Sequence, residues 1–163
     1  FFLTINEVYL ISIAFTILLT LSKQIKFLKS IHNVSRSTIG EIAFPLGILM
    51  VSIWFHPESV SAITLSKVPF IYGLLITGIS DVAANYFGTK LTSISFPYSK
   101  GKTVAGFLAF TVFSFFIGLA LGLPFAYAII LALILAIIEV LTPYGLDNLF
   151  LPISAALLIS IFF

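Results

Sequence analysis

From Thr103 to Ile138 the chain reads "TVAGFLAFTVFSFFIGLALGLPFAYAIILALILAII", without one charged side chain. A run of this length crosses a bilayer or fills the core of a large domain. Its one strong punctuation is Gly122 and Pro124, a helix stop followed by a start. The chain has 163 residues, 60% of them hydrophobic and only 9% charged, with 18 phenylalanines and a mean hydropathy of +1.21. A globule so small cannot hide that much apolar surface, so lipid has to cover much of it. The expected fold is all-α: a polytopic transmembrane helix bundle.

A spanning helix needs about 20 mostly apolar residues. On that template the spans fall at about 3–22, 39–56, 67–87, 103–122, 124–141 and 148–163. The runs lack the alternation of a membrane barrel, and a spanning backbone must satisfy its polar groups internally, so all are expected to be helices. No internal repeat, low-complexity tract or soluble domain interrupts them, and residues 1–163 read as a single transmembrane domain. The chain begins with Phe1, which fits a fragment or processed form lacking upstream helices. The first segment has no basic leader and no small-residue cleavage site, and does not read as a signal peptide. The absence of cysteine excludes disulfide and thiolate chemistry. The net charge of +2 is too small to suggest nucleic acid.

The positions of the charges carry more than their sum. Lys23, Lys26, Lys29 and Arg36 follow the first span, and Lys90, Lys100 and Lys102 follow the third. By the positive-inside rule both loops are cytoplasmic. The connection "TPYGLDN" then shares that side, and both chain ends lie opposite.

Ionisable groups within spans are expensive and rare, which makes them functional candidates. Asp81 lies near the end of the third span, with Ala84, Asn85 and Gly88 at helical spacing on one stripe. Glu139 lies near the end of the fifth. Asp147 and Asn148 precede the last apolar run, where they read either as a helix N-cap or as part of a site. Three of the six carboxylates, Asp81, Glu139 and Asp147, are thus expected at one membrane face beside Lys100 and Lys102. Clustered carboxylates hold hard cations such as Mg²⁺, and lysines neutralise phosphate oxygens. The combination suggests a site for a metal-bound polyphosphate.

Other polar features read as structural. "GKT" at 101–103 is not a phosphate-binding P-loop, because Phe96 stands where the motif needs glycine and no strand precedes it. His32 and His56 read as loop or interface residues, and Gly118 with Gly122 as a close-packing G-x-x-x-G. Glu41 either favours the start of the second helix or joins the site.

The stretches "SDVAANYFG", "FPYSKGKTVAGFLAF" and "IEVLTPYGLDNLFLPISAALL" resemble the CTP-dependent polyprenol kinase family of integral membrane lipid kinases, above all its phytol and farnesol kinase branch. Asp81, Ala84 and Gly88 keep that branch's spacing. Pro97, Tyr98, Lys100, Lys102, Thr103, Ala105 and Gly106 fit its lysine-rich turn, and Glu139, Asp147, Asn148, Leu149 and Pro152 its final signature. "GEIAFPLGI" from Gly40 extends the likeness to about residues 36–163. The chain departs from the pattern at Ser80, where a glycine is usual, and near Leu91, where a second glycine is missing; many relatives carry glutamate at Ala105, where the phytol kinase branch has alanine as here.

The resemblance implies phosphoryl transfer from a nucleoside triphosphate, with CTP as donor and Mg²⁺ as cofactor, to the hydroxyl of an isoprenoid alcohol in the bilayer. It implies Asp81, Lys102 and Asp147 as catalytic residues. Lys100, Lys102, Thr103, Asn85 and Asn148 would contact the nucleotide and its phosphates, and Asp81, Asp147 and Glu139 the metal. Two rivals are a cytidylyltransferase making a CDP-lipid and a small membrane transporter. The first lacks its usual Asp-Arg-x-Asp-like end here, and the second is disfavoured by acidic groups gathered at one face.

Overall fold

A computed structural model describes residues 4–25, 39–64, 66–99 and 101–163. They form six helices and, among the described residues, no strand. These are α1 (Ile5–Ile25), α2 (Gly40–Phe55), α3 (Val68–Lys90), α4 (Val104–Ala120), α5 (Phe125–Leu141) and α6 (Asp147–Ile159). Each coincides with one apolar segment of the sequence. α1 and α3 are long and apolar enough to cross a membrane. The other four are apolar but shorter, at 13 to 17 residues, because glycines and prolines at their ends turn the chain early.

The junction of α4 and α5 shows how. Gly122 adopts φ +92°, a backbone that L side chains rarely take. Around it the Leu123 amide donates to the Gly118 carbonyl and the Gly122 amide to that of Leu119, a Schellman closure. Pro124 then starts α5. The G-x-x-x-G expectation therefore divides. Gly118 packs against Ala128, whereas Gly122 is a turn residue with open space where a Cβ would point.

α4 packs along α5 and the second half of α3, while α6 lies between α2 and the first half of α3, and α1 flanks α2. Tyr72, Ile76, Phe110, Leu131, Leu135, Leu151 and Ile159 form the main core, and Val51, Phe55, Phe70 and Ala156 a second one. The outer faces are also apolar: Leu10, Phe15, Leu108, Phe116, Phe125, Ile137 and Leu157 are all exposed.

The bundle has two distinct ends. At one, the Ile5 amide donates to Glu58, Thr64 donates to the Phe163 carbonyl, and the rings of Tyr127 and Phe162 meet with centroids 4.6 Å apart and planes inclined at 52°. Buried His56 belongs to this end and accepts from the Glu58 amide through Nδ1. At the other end Lys23 pairs with Glu41 at 2.9 Å, the Ile39 amide donates to the Tyr144 carbonyl, and Asn148 Nδ2 donates to the Gly40 carbonyl. The alternation expected from the sequence thus brings the flanks of the first basic loop, the second basic loop and the 142–146 turn together. Lys26, Lys29, His32 and Arg36 lie outside the described residues.

α6 is gripped at Pro152. Proline there removes an N–H that would otherwise bind the Asn148 carbonyl. α2 and α3 approach that stretch through glycines: a Cβ on Gly47 would lie 2.5 Å from the Asn148 carbonyl oxygen, and one on Gly73 would lie 2.6 Å from that of Pro152. Gly47→Ala is expected to cost about 1–3 kcal/mol by overpacking. Gly78→Ala, whose new methyl meets nothing within 4 Å, is expected to cost nothing. Chemical unfolding in detergent checks both; equal midpoints would mean that α2 and α6 are not so tightly apposed.

Candidate functional site

The first carboxylate owes its direction to an irregularity. α3 is not uniform: residues Ile76–Ser80 form a π-helical turn, and Asp81 is the next residue. A π turn inserts one residue, which rotates everything after it by about 100° relative to an unbroken α-helix. The half of α3 that follows turns Ala84 and Gly88 onto α4, where Gly106 meets both at backbone distance. Asn85 is exposed, so the expected stripe of Asp81, Ala84, Asn85 and Gly88 splits, with Asn85 on the outer side. Asn85 is not among the acidic cluster's neighbours shown by any hydrogen bond of its side chain among the described residues.

Glu139 occupies the last turn of α5 and Asp147 the first position of α6. The turn between them holds two residues in left-handed backbone, Tyr144 at φ 63° and Gly145 at φ 83°. The Tyr144 carbonyl is tied to Ile39, and Asp147 Oδ1 accepts from the Asn148 amide at 3.0 Å. Asp81, Glu139 and Asp147 then each offer a carboxylate oxygen within 4.8 Å of the others, from α3 and from the consecutive helices α5 and α6. Glu139 and Asp147 are buried and Asp81 partly so.

Lys102 closes the cluster. Its ammonium donates to Glu139 Oε1 and to Asp147 Oδ2. Burial pushes the Lys102 amine down, but the adjacent Glu139 and Asp147 carboxylates outweigh it and hold the amine above its ordinary value. It is cationic at any physiological pH.

The segment that delivers Lys102 is a folded turn. The Phe96 amide donates to the Lys102 carbonyl at 2.9 Å, the Val104 amide to that of Ile94 at 2.9 Å, and Ser99 Oγ to the carbonyls of Phe96 and Lys102. Gly101 sits at φ 102° inside it. Thr103 is the N-cap of α4: its Oγ1 accepts from the Gly106 amide at 3.2 Å and donates to the Gly88 carbonyl at 3.3 Å. Ser93 Oγ accepts from the Ala105 amide. The first amides of α4 are therefore all engaged internally. The hydroxyl of Thr103 works as a cap and interhelix tie, so Thr103→Ala is expected to cost about 1 kcal/mol of stability. Thr103→Ser should retain most of it, as thermal unfolding would show; equal losses from both would discount the cap.

Of the expected site residues, the structure unites Asp81, Glu139, Asp147 and Lys102 directly. Asn148 stands beside them, its side-chain amide spent on Gly40. Lys100 lies outside the described residues. Glu41, left open between two readings, pairs with Lys23. Sequence reasoning missed Ser93, the π turn and the Gly40 contact. Only the "TGIS" cluster in an otherwise apolar helix hinted at the second. Ser80, where the resembled family has glycine, is fully buried, and among the described residues its Oγ has no hydrogen-bond partner.

An all-oxygen set of three carboxylates suits a hard divalent cation, whose ligands at about 2.0–2.6 Å place neighbouring oxygens roughly 3–4 Å apart. The Lys102 ammonium already acts there as a stand-in cation. Comparison of the chain with models of known protein families, with curated proteins and with solved structures found no match.

Proposed function

We propose that this chain is an integral membrane phosphotransferase, a lipid kinase that moves the terminal phosphate of a nucleoside triphosphate, CTP by the resemblance described above, onto the hydroxyl of an isoprenoid alcohol. The observation that carries the reading is the meeting of Asp81, Glu139, Asp147 and Lys102 at one end of an apolar-surfaced helical bundle. Exposed leucines, isoleucines and phalanxes of phenylalanine around the bundle support a lipid setting with six spans. Of the four described lysines, Lys23, Lys90 and Lys102 lie toward the site end and Lys67 precedes α3 at the other, a bias that supports a cytoplasmic face for the site.

Phosphoryl transfer needs positioning and charge neutralisation more than covalent help from the protein. Asp81, Glu139 and Asp147 would hold Mg²⁺, which when bound neutralises phosphate oxygens. Lys102, and Lys100 two positions before it in the sequence, would contact the phosphates. A carboxylate of the cluster, Asp81 or Asp147, accepts the proton of the attacking hydroxyl. Asn148 holds the start of α6 in place through Gly40, and Asn85 faces outward at the same end. The alcohol enters sideways from the bilayer, its tail among the helices and its hydroxyl at the interface.

The test places purified protein in mixed micelles with Mg²⁺, CTP or ATP carrying label at the γ or the α phosphate, and phytol, farnesol, geranylgeraniol, dolichol or diacylglycerol. γ-Label in the organic phase from CTP is the expected result. α-Label in a lipid product, with pyrophosphate released, when a lipid monophosphate replaces the alcohol would instead identify a cytidylyltransferase, and no labelled lipid from any donor would overturn the kinase reading.

A further inference from the structure

The lysine at the centre of this site is seated where a metal would be. Lys102 bonds two of the three carboxylates that the proposed function assigns to a divalent cation, and the third lies within 4.8 Å of both. Its ammonium and that cation cannot share the same oxygens, because like charges at contact repel strongly in so buried a place.

The three carboxylates are fixed on α3, α5 and α6, whereas Lys102 belongs to the turn before α4 and is the most exposed of the three groups ion-paired at the site, with 23% of its side chain accessible against 3% for Glu139 and 9% for Asp147. The Lys102 backbone is held independently of its side chain, through its carbonyl to Phe96 and Ser99. The ammonium can leave without unfolding the turn. Three carboxylates against one ammonium leave a formal charge of −2, and exchanging the ammonium for a divalent cation brings it to −1, so the cluster is better neutralised by the cation than by the lysine.

We infer that the site loads by cation exchange: Lys102 occupies the acidic cluster until a divalent cation displaces it, and the freed ammonium then turns to the phosphates of the incoming nucleotide. The inference rests on the proposed function and adds its order of assembly. Lys102 guards the buried carboxylates while the site is empty of metal and becomes a phosphate ligand only after metal arrives. A nucleotide without its cation would find the lysine already engaged.

The experiment uses the full chain in detergent without nucleotide or lipid alcohol. Mn²⁺ binding is followed by loss of the free-ion paramagnetic resonance signal. Lys102→Met is expected to bind Mn²⁺ about tenfold more tightly than the unchanged protein, since the internal competitor is gone. Equal or weaker binding overturns the exchange. Because that variant leaves buried carboxylates uncompensated and is at risk of misfolding, a second measurement uses the unchanged protein: amine-reactive ester labelling read by peptide mass spectrometry, with exposed Lys90 as internal reference. Lys102 is expected to be protected in chelator and reactive in saturating Mg²⁺. Bound Mn²⁺ with no change at Lys102 overturns the exchange and leaves the metal site standing. No Mn²⁺ binding by either protein overturns both, while the γ-label assay decides separately whether the chain is a kinase.

Discussion

Asp81→Asn is expected to lower phosphoryl transfer by roughly 10³-fold, the scale of losing one charge-stabilising group at a transition state, and to raise the stability of the bundle. The two signs differ for a physical reason. Asp81 receives no ion pair from Lys102, whose ammonium is spent on Glu139 and Asp147. In the resting site it is a third buried carboxyl group beside two others and lacks a counter-charge of its own, and an amide of the same shape removes the cost of ionising it there. For a merely structural carboxylate, its loss would cost stability and leave turnover intact. Transfer of γ-label and thermal unfolding in the same micelles therefore separate the readings. A variant that is less stable but equally active would place Asp81 in the scaffold.

Lys102→Met is expected to cost about 3 kcal/mol, toward the lower end of what breaking a buried ion pair costs because the lysine keeps some access to water. The loss arises from Glu139 and Asp147 left facing each other without a counter-charge. It should be recovered in two ways. Adding Glu139→Gln to the same chain removes one of the stranded charges, so the double variant should be more stable than the sum of the single losses predicts. Mg²⁺ should also stabilise Lys102→Met more than it stabilises the unchanged protein, because it supplies the missing positive charge. Denaturant midpoints with and without Mg²⁺ check both. Simple additivity of the two substitutions would mean that Lys102 and Glu139 do not interact in the folded protein.

These expectations draw on different depths of legibility. The helices were readable because apolar length between polar punctuation is a local property of the chain. Gly122 and Pro124 mark a turn wherever they occur, and the structure places a Schellman closure there. The meeting of Asp81, Glu139 and Asp147 was legible at lower resolution: strict alternation of helices brings the ends of α3 and α5 and the start of α6 to one side. Alternation says which end a residue occupies, and nothing about which way it faces.

Facing was decided by features with no strong local signature. The π turn at Ile76–Ser80 resets the azimuth of everything after it, and it left Asn85 outside while Ala84 and Gly88 went to α4. Thr103, expected to serve a phosphate, is consumed by the cap of its own helix and by Gly88. Lys102 was expected near the carboxylates, but its direct engagement with two of them depends on a turn closed by backbone hydrogen bonds between residues such as Phe96 and Lys102.

The sequence by itself determined six apolar helices, their alternation and the end of the bundle to which Asp81, Glu139, Asp147 and Lys102 belong, because each follows from hydropathy and spacing along the chain. Only the tertiary structure decided which carboxylates touch and what the lysine does between them, because those contacts depend on glycine-scale approaches between α2, α3, α4 and α6 and on one inserted residue in α3.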